Sequence, residues 1–265
     1  MTIENIVEIK NENTKPTQPI KEKQDKYIPD IVDKNISTRN GMIYVLSGAG
    51  GSGKSSLLLN MFKNPLQYKN KFHKIYYFCP FASFSSVVNH PFKDHDKVYH
   101  ELTPNDLEVI YNELVAVKEE YERELLDPEY DEDPEVLYTA IIIDDFADAL
   151  KEKHIAQQLS KMMIKARHLC CSFFITLQAF YYFPRLLRKQ LTYLSVWRPR
   201  SFAEFETVAK ELLEYKYDDS MKLFDYAFDA DYNHLDMDLV DGTLYKNFNL
   251  LEIIDNRKKK SRKLK

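Results

Sequence analysis

The segment Gly48-Ala49-Gly50-Gly51-Ser52-Gly53-Lys54-Ser55 decides the fold of this chain. It matches the pattern G-x-x-x-x-G-K-[ST] in full, and it lies between an apolar run at 42–46 and a helix-forming run at 54–62. Glycine lets backbone N–H groups converge on phosphate oxygens that a β-carbon would keep away. The start of the following helix adds partial positive charge. The segment therefore predicts a phosphate-binding loop for a nucleotide.

Two side chains at the end of this loop are expected to bind the phosphates and the metal ion that accompanies them. We expect the Lys54 ammonium to neutralise the β- and γ-phosphates and the Ser55 hydroxyl to bind Mg²⁺, which gives ATP and Mg²⁺ as the expected cofactors. The residues expected to contact the nucleotide are Gly48, Ala49, Gly50, Gly51, Ser52, Gly53, Lys54, Ser55 and Ser56.

A second ligand for the metal should come from an apolar strand that ends in an acid. Residues 140–145, with the sequence AIIIDD, fit this description. Asp144 is predicted to hold Mg²⁺ directly or through water, and Asp145 to polarise the attacking water as a general base. The alternative is that these two acids only end the strand and cap the next helix.

Apolar strands alternate with helices along most of the chain. The expected strands are 42–46, 74–79, 138–143, 172–177, 193–197 and 243–248, and the expected helices begin at 54, 103, 147 and 201. Continuous apolar strands separated by helices predict an α/β fold, a P-loop NTPase three-layer sandwich with a mostly parallel central sheet. We expect a flexible N-terminal arm at 1–37, the ATPase domain at 38–250 and a basic C-terminal tail at 251–265.

Composition narrows the class of protein further. The longest uncharged apolar stretch, 169–184, is shorter than the ~20 residues of a membrane span, and the N-terminus lacks a signal-peptide core. We therefore expect a soluble intracellular protein.

The three cysteines are expected to be buried apolar residues, because all three lie in apolar runs. The segment 229–240 begins like a calcium loop, but its sixth position is His234 and its twelfth is Val240, which argues against an EF-hand.

Other P-loop classes leave signatures that this sequence lacks. GTPases typically carry N-K-x-D, whereas Asn70-Lys71-Phe72-His73 has no aspartate. Nucleoside monophosphate kinases need an arginine-rich lid, and no such cluster follows the core. The sequence therefore favours hydrolysis over transfer to a small acceptor.

One further strand adds a resemblance to the phosphate loop and the Asp-Asp strand. Residues 172–178 (SFFITLQ) form an apolar run that ends in Gln178; Arg167 precedes it, and Arg185 and Arg188 follow it. Residues 41–199 thus resemble the DNA-packaging ATPases of large double-stranded DNA viruses and virophages, the poxvirus-like type of the FtsK–HerA superfamily. The resemblance implies that Gln178 senses the γ-phosphate. It also implies that an arginine enters a neighbouring subunit's site, with Arg167 the first choice, Arg188 the second and Arg185 the third.

The resemblance also implies partners. It predicts a homo-oligomeric ring around double-stranded DNA, a capsid or portal component as a possible partner, and a place in the host cytoplasm at the viral factory. The basic tail 257–265 could grip DNA phosphates, act as a targeting signal or only aid solubility. The aromatic segment 180–183 could line a pore or stack on DNA, and packing in a core or interface is the alternative. The role of the acidic stretch 119–135 stays open.

Two other functions compete with genome packaging. A related motor could serve as a helicase or DNA pump in a cellular or plasmid setting, and a nucleotide-dependent switch or scaffold could lack motor activity. Genome packaging and the related motor both require ATP hydrolysis that responds to DNA, whereas the switch or scaffold does not.

Overall fold

A computed structural model describes residues 26–127, 134–213 and 215–253. Nine strands form one sheet in this part of the chain. They are β1 (Ile43–Ser47), β2 (Lys74–Phe78), β3 (Val98–Tyr99), β4 (Thr139–Ile143), β5 (Cys171–Leu177), β6 (Tyr193–Trp197), β7 (His234–Asp238), β8 (Thr243–Lys246) and β9 (Asn249–Leu250).

The strand order is β3-β2-β4-β5-β1-β6-β7-β8-β9. The strands from β3 through β6 in this order pair in parallel, and β7, β8 and β9 extend the sheet in antiparallel fashion. Strands β1, β4, β5 and β6 are buried along their whole length. Burial on both faces favours strands that are mostly apolar, and this is why their sequences show no regular alternation of apolar and polar residues.

Seven α-helices accompany the sheet in the described ranges. They are α1 (Lys54–Lys63), α2 (Phe81–Ser85), α3 (Pro104–Leu126), α4 (Lys153–Ile164), α5 (Arg185–Arg188), α6 (Phe202–Val208) and α7 (Tyr217–Ala227), with a π-helical turn at Ala209–Leu213 after α6. One apolar core joins the sheet to α3, α4, α6 and α7, and a second joins its other face to α1. The predicted α/β architecture is confirmed.

Local signals set several helix ends. Thr103 caps α3, because its hydroxyl accepts the backbone N–H of Asp106 at 3.1 Å, and Pro104 occupies the first turn as predicted. The expected helix from 147 is shorter than predicted. A 3-10 turn at Ala149–Lys151 precedes α4, because Glu152 is extended (φ −65°, ψ 128°) and separates the two.

The beginning of the described chain packs against the core. Ile28, Ile31 and Ile36 are buried in the same cluster as α1, although the expected N-terminal arm includes them. Residues 1–25 of that arm and 254–265 of the basic tail lie outside the described residues. The acidic stretch forms the end of α3 as far as Leu126, and 128–133 also lie outside the described residues.

The strand β7 occupies the segment that begins like a calcium loop. His234 and Asp236 are buried in it, and Asp236 accepts hydrogen bonds from Ser195 at 2.5 Å and from the backbone N–H of Phe248 at 2.8 Å. Buried polar groups are tolerated when hydrogen bonds replace water. The acidic residues of this strand are therefore part of the sheet structure.

Candidate active site

The phosphate-binding loop connects β1 to α1 at the carboxyl edge of the parallel strands. Gly51 and Gly53 have φ of +78° and +99°, which is the left-handed region that favours glycine. A β-carbon on Gly48 would approach Cβ of Trp197 to 2.8 Å. No heavy atom lies within 4 Å of the corresponding position on Gly50 or Gly51, so the middle of the loop is open to a ligand.

Lys54 is 9% exposed and begins α1. Its ammonium donates to the carbonyl oxygen of Ala49 at 2.9 Å, across the loop. Burial lowers the pKa of Lys54, and the negative charges of Asp144 and Asp145 oppose that shift. A buried cation with one backbone partner inside a glycine loop is suited to bind phosphate oxygens.

Ser55 and Asp144 meet where a divalent cation would bind. The Ser55 hydroxyl donates to Oδ1 of Asp144 at 2.9 Å, and Asp144 is 3% exposed. The hydroxyls of Thr176 and Tyr77 also donate to this carboxylate, at 2.5 and 3.2 Å. A hydroxyl and a carboxylate suit Mg²⁺, which binds to proteins through one or two carboxylates and takes further ligands from substrate phosphates and water. Within the described ranges, no group of three or more His, Cys, Asp or Glu could hold a metal by itself.

Asp145 follows in the left-handed conformation, with φ of +63°. Its backbone N–H donates to the Thr176 hydroxyl at 3.0 Å, and its Oδ2 accepts from Ser83 at 2.9 Å. The turn directs the two neighbouring acids apart, so that Asp144 is buried whereas Asp145 is exposed. Asp145 also lines a pocket of about 330 Å³ together with Gln178.

Gln178 directly follows β5, and the carbonyl of the preceding Leu177 accepts the N–H of Gly48 at 3.0 Å. The residue is exposed at the edge of the pocket that it shares with Asp145. The fold thus brings the phosphate loop, both acids and the predicted sensor to one edge of the sheet.

The three candidate arginines have different surroundings. Arg188 bonds within its own chain: its guanidinium donates to the carbonyls of Phe183 and Tyr181 at 2.7 and 2.6 Å and forms an ion pair with Glu211 at 2.8 Å. Arg185 is exposed and lines a second pocket beside Arg188. Arg167 precedes β5 at the opposite edge of the sheet from its own phosphate loop, with its backbone against Gly41.

Two residues near the loop were missed at the sequence level. Arg200 donates to the carbonyl of Gly50 at 3.5 Å. Glu204, 4% exposed, accepts the N–H of Phe180 at 3.2 Å. Burial raises the pKa of Glu204, and the positive charges of Lys54 and Arg200 act in the opposite direction. The run Arg198-Pro199-Arg200 at the end of a strand was the available signal for the arginine; Glu204 gave none, because it reads as one of several helical acids.

The fold and this edge of the sheet define a P-loop nucleoside triphosphatase. The chain belongs to the poxvirus A32 protein family, whose model matches residues 33–213. The resemblance to poxvirus-like packaging ATPases is thereby confirmed.

Solved structures share the fold. The genome packaging NTPase B204 of Sulfolobus turreted icosahedral virus 2, in complex with ATP-gammaS, is 18% identical with a TM-score of 0.52, over 81% of this chain and 99% of B204. B204 of Sulfolobus turreted icosahedral virus, a DNA-packaging ATPase, is 17% identical with a TM-score of 0.53, over 81% and 98%. EssC of Geobacillus thermodenitrificans (ATPases 2 and 3) is 14% identical with a TM-score of 0.56, over 84% and 42%.

No curated protein sequence matches the chain. Among the helices of the described residues, none combines the length and the apolar character that crossing a membrane requires.

Proposed function

We propose that this protein hydrolyses ATP, with Mg²⁺, to drive double-stranded DNA into a viral capsid. One observation carries the hydrolytic part. The Ser55 hydroxyl and the Asp144 carboxylate, 89 positions apart in sequence, are in direct contact beside Lys54 and the pocket of Asp145 and Gln178. Membership of the poxvirus A32 protein family and the likeness to B204, a genome packaging NTPase, support the choice of DNA packaging.

Different residues of the site have different roles in the transfer of the phosphoryl group to water. Lys54 and the loop N–H groups bind the phosphates, and Ser55 and Asp144 would hold Mg²⁺, which supplies charge neutralisation at the phosphate oxygens when bound. Asp145 orients a water and accepts its proton, since it is the exposed acid of the pair and faces the pocket with Gln178.

Gln178 is proposed to sense the γ-phosphate. The support is its place between two fixed groups: the carbonyl before it bonds to Gly48, and two residues after it the N–H of Phe180 bonds to Glu204. A shift of Gln178 toward a bound nucleotide would therefore pull on both the loop and α6.

A homo-oligomeric ring would let one subunit supply an arginine to the next subunit's site. The resemblance favours Arg167 for this role, and Arg185 is exposed. The guanidinium of Arg188 already bonds to two carbonyls and to Glu211. We therefore place the trans-acting arginine at Arg167 or Arg185 and give Arg188 a positioning role for the segment after Gln178.

The rate of ATP hydrolysis with and without double-stranded DNA tests the proposal. We expect hydrolysis that DNA stimulates and that Lys54→Ala abolishes. Lys63→Ala, at the other end of α1, is the matched control and should retain the stimulated rate. An equal rate of hydrolysis with and without DNA would contradict the motor function and favour a nucleotide-dependent switch or scaffold.

A further inference from the structure

An exposed tyrosine lies against the phosphate-binding loop. The ring of Tyr232, in the turn before β7, has its Cδ1 3.6 Å from the position that a β-carbon would occupy on Gly53. Tyr232 is 71% exposed. Gly53 directly precedes Lys54, so this ring lies next to the residues that bind phosphate. We propose that Tyr232 is the stacking surface for the base of the bound nucleotide, an inference that rests on the proposed ATPase function.

The backbone of Tyr232 is held in an unusual conformation. Its φ is +65°, which is rare for a bulky side chain and costs free energy. The indole N–H of Trp197 donates to the carbonyl of Tyr232 at 3.0 Å and fixes this conformation. Cβ of Trp197 also lies where a β-carbon on Gly48 would clash. Trp197 thus contacts Gly48, the first glycine of the loop, and positions Tyr232 beside Gly53, the last one.

The chemistry of the nucleotide fits this arrangement. Once the phosphates occupy the loop, the sugar and base must extend to its outside, and there an exposed aromatic ring offers a flat apolar surface. Every base has a π-face, so stacking contributes affinity without selecting the base. The neighbouring Asn233 side chain is engaged on both sides, since it donates to Asp229 at 2.7 Å and accepts from Asn247 at 2.7 Å. Tyr232 should therefore strengthen the binding of ATP and GTP by similar factors.

The test compares dissociation constants for Mg-ATP, Mg-GTP and inorganic triphosphate by titration calorimetry. Tyr232→Ala should weaken both nucleotides by about 5- to 100-fold, leave triphosphate unchanged, and be rescued by Tyr232→Phe. Tyr226→Ala is the matched control, because Tyr226 is 60% exposed on α7 and its ring contacts Lys246 instead of the loop. It should bind all three ligands like the unaltered protein.

Two results would overturn the inference while the ATPase function stands. One is wild-type affinity of Tyr232→Ala for ATP, and the other is an equal loss for ATP and triphosphate, which would indicate a distorted loop. If the unaltered protein binds neither ATP nor triphosphate, the proposed ATPase function fails together with the inference.

Discussion

Thr176 fixes Asp144: its hydroxyl donates to Oδ1 of Asp144 at 2.5 Å, and the same oxygen of Thr176 accepts the N–H of Asp145 at 3.0 Å. The contact follows from the pairing of β4 with β5, in which Ile143 pairs with Ile175. Asp144, the first residue after β4, therefore lies beside Thr176, the next residue of β5. A single hydroxyl on β5 therefore orients both acids at the end of β4.

Thr176→Val tests this relationship, since it keeps the shape and removes the hydroxyl. A hydrogen bond to a charged group contributes about 1.5–3 kcal/mol, so we expect kcat to fall by roughly 10- to 100-fold. ATP affinity should change little, because Lys54 and the loop are intact. Ser172→Ala is the control: its buried hydroxyl, on the same strand, has no hydrogen-bond partner among the described residues. Equal kcat in the two variants would contradict the role of Thr176.

Glu204 links α6 to the segment after Gln178. Glu204→Ala leaves the buried N–H of Phe180 without a partner, which costs about 1–3 kcal/mol of unfolding free energy. Glu204→Gln keeps an acceptor and should recover most of that loss. Urea unfolding measures both. Glu206→Ala, at a half-buried position on the same helix whose carboxylate pairs with Lys210 at the surface, is the control and should stay within about 0.5 kcal/mol of wild type. A loss in Glu204→Gln as large as in Glu204→Ala would contradict the hydrogen-bond account.

Assemblies that mix two kinds of mutant subunit can distinguish the roles of the three arginines. Lys54→Ala subunits lack a working loop but retain every arginine, so they should restore hydrolysis when mixed with a subunit that lacks only the trans-acting arginine. We expect recovery with Arg167→Ala or Arg185→Ala and none with Arg188→Ala, whose defect lies within its own chain. Recovery with Arg188→Ala in a confirmed mixed ring would reverse the assignment.

Glu113 predicts a pH dependence of stability. Hydrogen bonds from Lys74 and Tyr76, at 2.7 and 2.5 Å, lower the pKa of Glu113 from 4.5 to about 2. A depressed carboxyl pKa stabilises the fold above the unfolded pKa, and this contribution is lost as the pH falls from 4.5 toward 2. Because Glu113 is about one-third exposed, we expect only about 1 kcal/mol.

Glu113→Gln should therefore be less stable than wild type above pH 5, and the difference should vanish near pH 2. The measurement is urea unfolding across this range. Glu108→Gln, an exposed position on the same helix, is the control and should show no such dependence. A difference between Glu113→Gln and wild type that is the same at every pH would argue against the shifted pKa.

The sequence was sufficient for features that are local in the chain. The loop ending in Lys54 and Ser55 is one contiguous motif, and the apolar strand ending in Asp144 carries its own signal. The contact between Ser55 and Asp144 could be expected because both follow parallel strands, whose carboxyl ends meet at one edge.

The remaining parts of the site depend on pairing that no local pattern encodes. Thr176 becomes functional only because β5 pairs with β4, and Tyr232 reaches Gly53 only because β7 adds antiparallel to β6. The strand β7 was missed because His234, Asp236 and Asp238 give it the polarity of a loop. Hydrogen bonds between its own side chains and from the backbone of neighbouring turns compensate for burying these polar groups.

The DNA content of capsids made with an inactive protein tests whether this ATPase packages DNA. Virus particles assembled with Lys54→Ala in place of wild type would be purified and their DNA measured against particles made with Lys63→Ala. We expect empty shells for Lys54→Ala and filled shells for Lys63→Ala. Filled shells from Lys54→Ala, with its ATPase shown to be inactive, would contradict packaging as the function of this protein.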